Sequence, residues 1–228
     1  MKTKIILPTY VTTQPSTGKK VTYRPFTVKE EKSLLLALQE DNVETVTQAI
    51  KNVITTCTDV DPDKVPYYDV EFLFLQIRSK SVGEVIELVG SCDCSPDAKT
   101  PFTVDIADIK IEPAPKVNES IKILDTDYSI ICSHPSITDF SKTFSNDTDA
   151  STKVVANCIK SVYTDDEVMN WNFEETLEFV ESMTPRQQKN IATFLQDMPI
   201  VKLDAGYTCS KCSKKHTNSI SGFESFFI

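Results

Sequence analysis

The stretch "ELVGSCDCSPDAKTPFTVD" (residues 87–105) sets Cys92 and Cys94 one residue apart, between two runs that read as strands. Alternation through Thr103, Val104, Asp105 and Ile106 is the period of a half-buried strand, and Ser, Pro and Asp after the cysteines are turn residues. A second pair, Cys209 and Cys212, lies in "IVKLDAGYTCSKCSKKHTNSI" (residues 200–220), again between strand-like segments. Each pair therefore belongs to a hairpin knuckle, where thiolates and backbone amides converge on one point. Four thiolates suit tetrahedral zinc in a closed, structural site without an open position for substrate. The set Cys92, Cys94, Cys209 and Cys212 is preferred to one in which His216, four residues beyond Cys212, replaces a cysteine.

Residues 95–208 separate the two pairs, so this is not a contiguous finger. Closing a loop of that length costs about 5 kcal/mol in the chain-entropy model. Zinc supplies on the order of 10–16 kcal/mol in small finger peptides, enough to fasten the two ends. The compartment matters as well. The N-terminal "MKTKIILP" begins like a leader, but its apolar run is short and stops at Pro8, so it is read as a first strand. The expected environment is a reducing cytoplasm, where seven cysteines, an odd number, serve as thiols or metal ligands rather than disulfides. A redox CxxC and unpaired surface thiols are the competing readings. Cys57, Cys132 and Cys158 sit in apolar surroundings and read as buried thiols.

Working outward, "KIILPTYVT" and "KKVTYRPFTV" flank "TQPSTG", a hairpin turn. The period then changes to helical. Thr27 with Glu30 forms a capping box, and Leu34, Leu35, Leu38, Val46, Ile50 and Ile54 recur at helical spacing, with "EDN" near residue 41 separating two helices. "VDPDKVPYY" reads as a loop, and "DVEFLFLQIRSKSVG" as a helix ending at Gly83. "SIKILDTDYSIICSH" is a hairpin turning at "DTD". "STKVVANCIKSVYT" reads as one short helix burying Val154, Val155, Cys158, Ile159 and Val162. "WNFEETLEFVESM" is another, with Phe173, Leu177 and Val180 on one face. Thr184 caps a further helix with Pro185 at its first position and Pro199 as its stop. The fold class is α+β: a helical core with β-hairpins that form a zinc-ribbon-like site from two distant knuckles. Residues 1–83 make an N-terminal hairpin plus helices, 84–132 with 200–228 a β-rich zinc-ribbon-like region, and 133–199 a helical region, all expected as one unit.

Catalysis finds little material. The chain has two histidines, His134 and His216, and five glycines. His134 beside Cys132 is a sequence neighbour, not a dyad, and reads as a turn or core-edge residue. "GKK" lacks the Gly and Ser/Thr positions of a phosphate loop, and neither "DVDPD" nor "YTDDE" has calcium-loop spacing. A net charge of −9 argues against nucleic acid and anionic lipid surfaces, and no apolar run is long enough to span a bilayer. Lys211, Lys214 and Lys215 nevertheless cluster at the second knuckle. A zinc-ribbon regulator of nucleic acid or the transcription machinery is therefore the alternative function. The aromatic end, "FESFFI", either packs back on the domain or is offered to a partner.

"LPTYVTTQPSTGKKVTYRPFTVKEEKSLLLALQ", "EFLFLQIRSKSVGEVIEL" and "YTCSKCSKKHTNSISGFESFF" together resemble the baseplate hub assembly proteins of T-even-type contractile-tailed phages. That family offers a wider-spaced pair where this chain has "CDC". The resemblance implies a non-enzymatic assembly factor or chaperone, active in the host cytoplasm and carried to the virion baseplate or released from it. It shields baseplate hub or tape-measure proteins during tail growth, with its oligomeric state left open. Leu34, Leu35 and Leu38, with Phe226 and Phe227, are the candidate partner-binding residues.

Overall fold

A computed structural model describes residues 5–40, 42–113, 119–142 and 149–222. The chain opens with β1 (Tyr10–Thr13) and β2 (Lys20–Tyr23), an antiparallel hairpin. The first strand is shorter than expected: residues 5–9 lie outside it, and Ile5 and Ile6 are exposed. Three helices follow: α1 (Val28–Gln39), α2 (Val43–Cys57) and α3 (Tyr67–Ser81). The Thr27–Glu30 capping box forms, and Arg24 grips Glu30 at 2.6 Å, which holds the Glu30 carboxyl down to about 2. Asn42 caps α2 by accepting from Glu44 N and Thr45 N. Helix α3 starts two residues earlier than "VDPDKVPYY" suggests, with Pro66 at its N-cap, and Gly83 beyond its end takes φ +143.

Next come β3 (Val85–Ser91) and β4 (Lys99–Asp105), paired antiparallel, a 3₁₀ turn at Ile106–Asp108, and β5 (Lys110–Glu112). A four-stranded antiparallel sheet runs β6 (Glu119–Lys122), β7 (Ser129–Cys132), β8 (Ile159–Tyr163) and β9 (Val168–Met169). Between β7 and β8 lie α4 (Ile137–Lys142) and α5 (Ala150–Cys158). The helix read across "STKVVANCIKSVYT" is therefore corrected: it stops at Cys158, and Ile159 and Val162 are buried from a strand that pairs with β7. Helices α6 (Phe173–Ser182) and α7 (Pro185–Gln196) carry capping boxes at Asn172–Glu175 and Thr184–Gln187. Phe173 departs from its assigned face; it is exposed while Val180 is buried. The chain closes with β10 (Ile200–Thr208) and β11 (Lys215–Ser221), and β10 lies between β11 and β5. Helices beside several antiparallel sheets make the molecule α+β.

Two apolar cores organise these elements. The first gathers Tyr23, Leu34, Ile54, Leu73, Phe74, Ile86, Leu88, Val104, Val201, Leu203 and Ala205, from both ends of the sequence. The second gathers Ile121, Ile130, Cys132, Ala156, Val162, Val180, Ile191 and Phe194. His134 lies at the edge, stacked on Phe194 at 4.5 Å and edge-on to Tyr68 at 5.7 Å, in keeping with the core-edge reading. Cys57, Cys132 and Cys158 are buried thiols, and burial pushes them up to about 11, 12 and 12 respectively.

Helix α3 also buries two carboxylates. Asp69 accepts from Gln14 Nε2 at 2.6 Å and Ser16 N at 2.9 Å, and from the Ser16 hydroxyl, tying the β1–β2 turn to the helix. Glu71 Oε1 accepts Gly222 N at 2.9 Å, and its carboxylate also takes the Val201 amide, holding the end of β11. Burial raises both carboxyls, Glu71 to about 7.

Candidate metal centre

The β3–β4 and β10–β11 hairpins place their tips together. In the first tip, Cys92 N donates to Ala98 O at 3.2 Å and Ala98 N to Ser95 O at 2.9 Å, which folds residues 92–98 into a compact turn. The second is closed by Cys209 N to Lys214 O at 2.9 Å and Ser213 N to Cys209 O at 3.0 Å, with Ser213 at φ +60. Side chains then join the tips. Ser210 N donates to Thr100 Oγ1 at 3.1 Å, the Thr100 hydroxyl to Ser210 Oγ at 3.3 Å, and Lys211 Nζ to Ser95 Oγ at 3.2 Å.

Below the tips the ring of Tyr207 stacks on Phe102 at 4.9 Å and on His216 at 4.8 Å, and its hydroxyl donates to Ser91 O. Gly90 makes this possible: a Cβ there would fall inside the Tyr207 ring. Because His216 lies in this stack, it does not join the sulfurs, and the alternative ligand set containing it is not the one assembled. Its Nε2 is buried without a hydrogen-bond partner among the described residues.

The four sulfurs of Cys92, Cys94, Cys209 and Cys212 lie within 4.8 Å of one another. Cys92 Sγ is 3.7 Å from Cys212 Sγ, and Cys94 Sγ is 3.7 Å from Cys209 Sγ. All four are free thiols. Thiolates about 2.3 Å from a tetrahedral zinc lie about 3.8 Å from one another, so the observed spacing fits that group nearly without rearrangement. The donor set is equally suitable, since soft sulfur in a tetrahedron selects zinc or iron–sulfur chemistry. Cys92 and Cys209 are buried while Cys94 and Cys212 face solvent, which leaves an ion open to exchange and to chelators.

Electrostatics favour a thiolate here. Backbone amides of Cys212 and Lys211 aim at Cys209 Sγ, the latter from 3.4 Å, and pull its thiol down to about 6. Loss of water, followed by hydrogen bonds with the other three thiols, pushes Cys94 up to about 12. Without a cation the quartet holds protons that a metal would displace.

The other candidates fall in different places. Leu34 is buried in the first core, Leu35 is exposed at 48%, and Leu38 is half-buried. Phe226 and Phe227 lie outside the described residues. Among the described residues no helix is long and apolar enough to cross a membrane.

An α+β fold whose two distant hairpins are joined at a four-thiol knuckle defines a cross-braced protein, with two of the site's donors buried and two facing solvent. The chain belongs to the family described as T4 bacteriophage base plate protein, whose model matches residues 7–228. That membership gives it a role in the phage tail baseplate. No match was found among curated proteins or solved structures.

Proposed function

We propose that this protein is a non-enzymatic assembly factor of the baseplate hub, acting as a chaperone for hub or tape-measure proteins while the tail is built in the host cytoplasm. Family membership over nearly the whole chain carries the reading. In it, zinc at Cys92, Cys94, Cys209 and Cys212 is a structural brace, because four protein ligands leave no position for substrate. The brace keeps both hairpins fixed while exposed apolar residues of α1, Leu35 and Leu36, meet an amphipathic partner segment. A net charge of −9 favours basic partner segments and speeds their encounter.

Co-expression with individual hub and tape-measure proteins, followed by size-exclusion chromatography, tests this. A co-eluting complex with one of them is expected, and monomeric elution in every pairing overturns it. The nucleic-acid reading predicts a salt-dependent gel shift driven by Lys211, Lys214 and Lys215. Those lysines are exposed, but Lys211 is engaged with Ser95, and the acidic balance of the chain opposes it.

A further inference from the structure

Of the three arginines in the chain, two meet carboxylates: Arg24 with Glu30 at 2.6 Å and Arg186 with Asp125 at 3.8 Å. Arg78, on α3, is different. It is 8% exposed, and its Nη1 reaches Gly83 O at 3.4 Å, the outer limit of a hydrogen bond. Among the described residues no carboxylate pairs with it. Burial alone acts on its guanidinium and pulls it below its ordinary value. A cation withdrawn from water without an anion is unfavourable, and an apolar side chain of similar size would serve the fold better. The buried guanidinium lacks a counter-charge among the described residues, and an anion from another molecule would supply it.

Arg78 lines a cleft of about 110 Å³ between α1 and α3. Leu34 and Phe74, both buried in the first core, form its floor, and Phe26 with Leu35 and Val82, exposed at 48% and 58%, form its accessible apolar sides. Glu31 also lines the cleft, yet makes no ion pair with Arg78 among the described residues. The volume is well below the roughly 300 Å³ at which small-molecule sites begin, and below the ~150 Å³ cavity that holds benzene. It suits a single apolar side chain.

We propose that this cleft is a docking site for a partner polypeptide that places a carboxylate on the Arg78 guanidinium and the adjoining apolar side chain against Phe26, Leu35 and Val82. The proposal rests on the reading of the protein as a partner-binding assembly factor, and supplies the chemistry of one contact. Arg78 gives a forked, charge-assisted pair, and the walls exclude water from it.

The probe is N-acetyl-leucine, compared with its uncharged amide, N-acetyl-leucinamide, titrated into the full-length protein and followed by methyl and arginine side-chain NMR. Saturable shifts at Leu35, Val82 and Arg78 are expected with the acid, and the amide should bind at least roughly tenfold more weakly. Acetyl-Leu-Glu-amide, whose carboxylate is on a side chain, shows whether the partner's anion is terminal or internal. Arg78→Met should abolish the preference for the acid without lowering the unfolding temperature. Arg78→Lys, should the Met variant fail to fold, should weaken it. Equal affinity for acid and amide in the native protein, or shifts confined to other surfaces, overturns the proposal. Persistent co-elution of Arg78→Met with a hub or tape-measure partner also overturns it while leaving the assembly reading intact.

Discussion

Chelating the metal proposed for the four-cysteine knuckle should lower the unfolding temperature by about 5–16 °C while leaving the chain folded at room temperature. The sulfurs already stand 3.7 Å apart across the two hairpins, so nearly all of the binding free energy acts on the folded state and little is lost to rearrangement. A ligand held 100 to 1,000 times above its dissociation constant stabilises by about 2.7 to 4.1 kcal/mol. For a chain of this size each kcal/mol moves the midpoint by about 2–4 °C, which gives the range stated. Global unfolding is not expected, because Leu88, Val104, Leu203 and Ala205 hold the same hairpins together through the first core. The assay is thermal unfolding by circular dichroism before and after a zinc-selective chelator, with metal content measured on both samples. Cys212→Ser provides the covalent counterpart, and cobalt substitution should give the spectrum of a tetrahedral sulfur site. A purified protein with far less than one metal per chain, or a midpoint that ignores both the chelator and Cys212→Ser, would refute the reasoning.

Two further perturbations probe the neighbourhood of the brace and the buried acids. Gly90→Ala drives a methyl group into the Tyr207 ring, so it should destabilise by about 1–3 kcal/mol and loosen the metal, read by denaturation and by competition with a chromogenic chelator; no change in either would show that the ring moves freely. Glu71 rises from an ordinary 4.5 to about 7 on folding, so the folded state binds the extra proton between those values and its contribution to stability is lost as pH rises through that window. Glu71→Gln keeps an acceptor for the Gly222 and Val201 amides and removes the charge. It should flatten the pH dependence between about 4.5 and 7 and gain up to about 3 kcal/mol at pH 8, and parallel curves for the two proteins would contradict the assignment.

Local signals in the sequence carried much of this architecture. The "TQPSTG" turn, the Thr27–Glu30 and Thr184–Pro185 helix starts, Gly83 as a stop, and the two cysteine pairs each depend on a few neighbouring residues, and each occupies the place its chemistry requires. Where the outcome depended on distant partners, the pattern misled. Val154, Cys158, Ile159 and Val162 satisfy a helical period, but β-branched Ile159 and Val162 also suit a strand, and pairing with β7 decides for the strand. Asp69 and Glu71 are buried acids of α3 that no local motif announces. Their partners lie 53–55 and 151 residues away for the bonds to Gln14, Ser16 and Gly222, so nothing local marked them as buried. Arg78 was hidden for the same reason: a lone cation in an apolar run is ordinarily solvated, and its burial shows only once α1 is laid against α3. His216 had suitable spacing for a ligand, yet its strand register turns it onto Tyr207 instead.

The division into two cores sets an order of events during synthesis. Every side chain of the second core has left the ribosome once residue 195 is out, whereas the first still waits for Val201, Leu203 and Ala205. The middle of the polypeptide can therefore consolidate while its beginning remains unsealed, and the last strands act as a closing clasp. A chain stopped just after α7 would expose the apolar underside of α3 and leave Cys92 and Cys94 without their counterparts, a product marked for aggregation or proteolysis rather than for incorporation into a tail.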